Sequence, residues 1–132
     1  MTTNNNLTDS ITDLSSGLSI NKGATFAGNI SNTGNITSTG NHSITTAGKG
    51  IFIKEGSNAK MGQATLVAGT VIVSNTSVTA NSRIQLTIAS LGTVTVPTTV
   101  AVTTLTAATS FVITSANVVD TSVINWIIFE AA

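Results

Sequence analysis

The chain has 132 residues, of which 8% are charged and 41% hydrophobic, with no cysteine and a formal net charge of zero. An average globular chain carries about 25% charged residues, and so neutral a sequence excludes condensation onto nucleic-acid phosphates or an anionic membrane. The lack of cysteine excludes disulfides and thiol chemistry.

Ser and Thr fill 40 of the 132 positions, and Val, Ile and Ala supply most of the apolar content. This β-branched mixture favours strands over helices. A weakly charged surface suits a protein that buries much of that surface between subunits. The first residues, Met1 to Asn6, lack the basic and apolar regions of a secretion signal, and the apolar run Trp126-Ile127-Ile128-Phe129 is too short to cross a bilayer.

Residues 1–18 place Leu7, Ile11, Leu14 and Leu18 at spacings of four, three and four. Asn6 stands at a helix N-cap position, Asp9 falls in the first turn, and Gly17 would break the helix near its end. Two readings fit. One is a short coiled coil packed against copies of itself; the other is an extended arm whose four apolar residues fill pockets on a partner. Either makes this segment an anchor.

Residues 19–60 carry a six-residue register, with Gly28-Asn29-Ile30, Gly34-Asn35-Ile36 and Gly40-Asn41-His42 in phase. One apolar residue in six cannot close a core within one chain, and a fixed short period marks stacked or multi-stranded β-structure. The expectation is an intertwined β-stalk in a homotrimer, with Ile30, Ile36, Ile44, Ile51 and Ile53 of three chains meeting at the axis. His42 takes a slot held elsewhere by Ile. It would face the axis, where three imidazoles could bind an ion, or face water at a slip of the register.

Residues 61–132 change character. Apolar residues Ile84, Leu86 and Ile88 alternate with Arg83, Gln85 and Thr87, the period of a half-buried strand. Further strands are expected at 62–67, 69–74, 98–106, 110–114 and 123–130. Short links at Ala68-Gly69, Leu91-Gly92 and Ala107-Ala108-Thr109 suggest antiparallel neighbours, and Pro97 bars a central-strand position. The fold class is therefore all-β, with a C-terminal antiparallel β-sandwich or jelly-roll head. In the last strand Trp126 and Ile128 share one face and Ile127 and Phe129 the other, as expected of a central strand or of one covered by a neighbouring subunit. Arg83, Asp120 and Glu130 are among the few charges of the head. A structural ion pair between Arg83 and one of the two carboxylates is expected.

The string Gly62-x-Ala64-Thr65-Leu66-Val67-x-Gly69-Thr70-Val71-x-Val73-x-Asn75-Thr76-x-Val78, with Ser82-Arg83-Ile84-x-Leu86-Thr87 after it, resembles a β-domain at the C-terminal ends of tailed-bacteriophage structural proteins. Thr109-Ser110-Phe111-x-Ile113-x-Ser115, Asp120-Thr121-Ser122 and Trp126-x-Ile128-x-Glu130 continue the match. The Gly-Asn-Ile register is similar to the shafts that precede such heads. The resemblance implies a trimeric virion-surface protein: a fibre tip, a head fibre or a capsid decoration (cement) protein. The short shaft and the start at Met1 point to a small accessory protein that binds the major capsid protein. A receptor-binding tail-fibre tip recognising host glycans, attached through a tail or baseplate protein, is the alternative.

Catalysis finds little to work with. One His, no Cys and five scattered carboxylates supply few general acids or bases, and no phosphate-cradling glycine loop is present. Asp9 and Asp13 are four apart but lack a third ligand for a metal. The expectation is a structural protein without catalytic residues, metal or cofactor.

Overall fold

The computed structural model describes residues 27–131. The chain separates into two compact units, Met1–Ser43 and Ile44–Ala132. The expected anchor residues Leu7, Ile11, Leu14 and Leu18 lie outside the described residues.

In the first unit the six-residue period is visible as geometry. Asn32 brackets Gly34, its amide donating to the Gly34 carbonyl at 3.0 Å and its Oδ1 accepting from the Gly34 N–H at 3.3 Å. Six residues on, Ser38 brackets Gly40 in the same way at 3.0 and 3.2 Å. Ile30 and Ile36, also six apart, are 63% and 69% exposed. The repeat thus gives each Ile a similar local setting and leaves both exposed among the described residues. In the second unit Ile44, Ile51 and Ile53 are likewise exposed, and residues 44–60 form turns and one parallel bridge, Glu55 to Met61.

The rest of the second unit is a two-layer β-sandwich of six strands: β1 (Met61–Thr65), β2 (Thr70–Ser74), β3 (Ser82–Ser90), β4 (Val100–Thr106), β5 (Ser110–Ser115) and β6 (Val123–Glu130). One sheet has the order β1-β6-β3 and the other β2-β5-β4, with every pairing antiparallel. No helix occurs among the described residues. Alternation directs Ile124, Trp126 and Ile128 of β6 inward against Phe111 and Ile113 of β5, and Leu66 and Val78 complete the buried cluster. Phe111 and Trp126 meet edge to face, ring centroids 5.4 Å apart, a favoured aromatic arrangement. Gly62 makes room for that indole: a Cβ there would sit 2.7 Å from Trp126 Cζ2.

Two of the short links behave differently from expectation. Ala107–Thr109 closes a hairpin within one sheet, but Ala68-Gly69 joins strands of different sheets, and so does the segment that begins at Leu91-Gly92. Val67 and Thr70 exchange backbone hydrogen bonds at 2.9 and 3.1 Å around left-handed Ala68 and Gly69. The turn has a hairpin's chemistry. Leu66, fully buried, carries the chain across the core instead of letting β2 pair with β1. Of the four outer strands, β3 and β4 each contain a register shift, which twists an exposed edge away from unwanted pairing.

Candidate functional site

Polar clasps close the sandwich at each end, and they hold every charged side chain of the head except Arg83. At the end where residues 59 and 60 enter β1, Lys60 donates to Glu130 Oε1 and to the Ser77 carbonyl, both at 2.6 Å. Ser82 and Thr79 hydroxyls donate to the same carboxylate at 2.7 Å. The Lys60 ammonium first, then these two hydroxyls, lower the Glu130 pKa to about 2. Beside it Asn75, 1% exposed, donates to the Ala59 carbonyl and accepts from Ser77.

At the far end Asp120 is fully buried with no cationic partner among the described residues. Its Oδ1 accepts the Ser122 hydroxyl at 2.6 Å and the Ser122 N–H at 2.9 Å. Its Oδ2 accepts from Ser115 at 2.7 Å and Thr98 at 2.8 Å. The Ser122 hydroxyl above all, against the opposing effect of burial and with help from Ser115 and Thr98, holds this carboxyl well below the ordinary range. The Asp120 carbonyl also accepts the Gly69 N–H at 2.9 Å. A single buried residue thereby ties together the β1–β2 turn, the β3–β4 crossover and the β5–β6 loop.

The expected ion pair is therefore built differently. Arg83 meets neither Asp120 nor Glu130; its Nη1 donates to the Asn81 carbonyl at 3.0 Å. Strand alternation is the reason. Arg83 pairs with Phe129 in register, so both point to the outer face, whereas Glu130 sits opposite Ser82 and follows the inward parity of Ile128. Lys60 was the missed partner, although its place one residue ahead of β1 offered a signal once β1 and β6 were paired. Trp126 and Ile128 lie on the inner face of β6, 6% and 4% exposed.

The outer face of β1-β6-β3 is the most featured surface of the head. Across the sheet, Arg83 stands opposite Phe129, Gln85 and Met61 flank Ile127, and Thr87 and Gln63 flank Asn125. Gln63 Nε2 donates to Asn125 Oδ1 at 2.8 Å. Phe129 is 53% exposed, and Arg83, Gln85, Thr87 and Gln63 are all exposed. A shallow cleft of about 460 Å³ is lined by Arg83, Ile84, Gln85 and Phe129, and a second of about 220 Å³ continues from Gln85 past Asn125 and Ile127. A hollow of about 540 Å³ at residues 53–60 is formed by consecutive residues of one turn. The outer face of the other sheet is plainer: Thr70, Ile72 and Ser74, with Ser110, Val112 and Thr114 beside them, and no charge. Among the described residues no three His, Cys, Asp or Glu gather as metal ligands.

No curated protein matches the chain. A family model does, that of the K1 capsule-specific polysaccharide lyase, C-terminal domain, over residues 58–129. It is a phage tail-spike-related domain. The match runs from the Asn58–Lys60 entry through β1 to Phe129 in β6, which is the sandwich short of Glu130, the last residue of β6, and more than half of the chain. This chain belongs to the family of K1 capsule-specific polysaccharide lyase C-terminal domains.

Proposed function

We propose that the protein is a homotrimeric, virion-associated component of the tail-spike or tail-fibre type, whose β-sandwich head recognises saccharide on the host surface. The family match over residues 58–129 carries this reading. It moves the weight from the capsid decoration suggested by the short shaft to the tail-fibre alternative. The exposed Ile30, Ile36, Ile44, Ile51 and Ile53 support trimerisation, because solvent-exposed isoleucines recurring along one segment gain burial from other copies. A head of about 70 residues buries only ~60% of its unfolded surface and gains from the same assembly.

The head is proposed to bind and assemble rather than catalyse, since the residues matched correspond to the C-terminal part of a lyase. Quantifying copies per purified virion tests the attachment. A few dozen or fewer supports a tail position; hundreds would return the protein to the capsid as a decoration protein. Sedimentation of the purified chain as a compact single subunit would refute the trimer.

A further inference from the structure

We infer that the outer face of β1-β6-β3 is a saccharide site selective for acidic sugars, with Arg83 as the carboxylate reader and Phe129 as the platform. The inference rests on the proposed recognition role and assigns it a place and a ligand class. Three observations carry it. First, Arg83 is exposed and spends one of its five N–H donors on the Asn81 carbonyl, with no carboxylate beside it among the described residues. A guanidinium with a free fork matches a carboxylate in two parallel hydrogen bonds. Second, Phe129 lies directly across the strand pair from Arg83 and is 53% exposed, so an apolar sugar face can rest on the ring while the sugar's acid group reaches the arginine. Third, the Gln85, Asn125, Gln63 and Thr87 side chains extend along the same face from that pair, supplying the mixed donors and acceptors that ring hydroxyls require.

A second copy of the chain fits this face poorly. Of the carboxylates in the described residues, Asp120 is buried on four hydrogen bonds and Glu130 is held by Lys60. Among the described residues that leaves Glu55 to neutralise Arg83 across an interface. The uncharged Ser- and Thr-rich face of β2-β5-β4 lacks this difficulty.

The test uses the full chain, titrated by calorimetry with size-defined oligomers of polygalacturonate, alginate and hyaluronan. Their carboxyl-reduced counterparts and dextran serve as neutral controls. At least one acidic series is expected to bind, with about tenfold or greater weakening on carboxyl reduction and in Arg83→Gln. Phe129→Ala should weaken binding similarly, and Arg83→Lys should retain part of it. Absence of binding by all three acidic series, or binding unchanged in Arg83→Gln and Phe129→Ala, overturns the inference. So does dissociation of the assembly in Arg83→Gln, which would make the face a subunit contact. Copy number and sedimentation of the unmodified chain judge the tail-fibre reading separately, so the failure of one is distinguishable from the failure of the other.

Discussion

Lys60 Nζ and Glu130 Oε1 lie 2.6 Å apart although 70 positions separate them in sequence. The residue that leads into β1 is thereby fastened to the last residue of β6, and Ser82 and Thr79 bind the same carboxylate from the start of β3. The last strand thus ends on a group that holds the chain's entry point in place.

Acid should undo this end first. The Glu130 pKa falls from an ordinary 4.5 to about 2 on folding. Its contribution is therefore complete above about pH 4.5 and is lost as pH drops towards 2. Urea unfolding measured from pH 6 to pH 2 should show declining stability across that window, with a shallower decline in Glu130→Gln.

Asp120→Asn should cost more at neutral pH. The carboxylate accepts four hydrogen bonds in a fully buried site, and an amide turns donors towards donors. A loss of about 3 kcal/mol is expected, read as a fall in the urea midpoint at pH 7. The Asp120 pKa is lowered on folding, so the wild-type advantage persists above the ordinary carboxylate range and shrinks as pH falls below it.

Gly62→Ala places a methyl group against the Trp126 ring, where the built Cβ comes within 2.7 Å. Overpacking of this kind costs about 1–3 kcal/mol. Thermal unfolding should report the loss, and the emission of the sole tryptophan should shift as its ring moves.

Gly69→Ala tests the corner between the sheets. Its φ is +78°, and an added Cβ would meet the Asn117 carbonyl oxygen at 2.5 Å. The strain acts on the N–H that donates to Asp120 and on the carbonyl that accepts from Ser115. Destabilisation of about 2 kcal/mol is expected, with hydrogen exchange accelerating first at residues 66–70 and 115–122.

Ile36→Asp and Ile51→Asp probe assembly. Both side chains are exposed in the single chain, 69% and 80%, so the head should keep its fold by circular dichroism. Sedimentation should shift from trimer to smaller species, because three carboxylates would meet at one layer of the proposed axis. Unchanged trimers would place the subunit contacts elsewhere.

The strands of the head were legible because their signals are local. Arg83/Gln85/Thr87 against Ile84/Leu86/Ile88 declares the two faces of β3 without any partner, and left-handed turns at Ala68-Gly69 and Ala107–Thr109 fall where small residues interrupt apolar runs. The partners of those strands were not legible. Nothing local to Ala68-Gly69 distinguishes a hairpin from a crossing between sheets; that choice rests on burying Leu66, a decision of the whole core.

The same division separates the charged residues. Composition alone favoured strands over helices and marked a chain with very few ionisable groups, and the six-residue spacing of Ile30 and Ile36 marked residues unable to bury themselves. Tertiary structure alone decided that Glu130 takes Lys60, that Asp120 rests on hydroxyls, and that Arg83 turns outward beside Phe129. Alternation fixes only a side chain's parity relative to its own strand. Which residue meets it from 70 positions away depends on the register between strands, and the packed core sets that register.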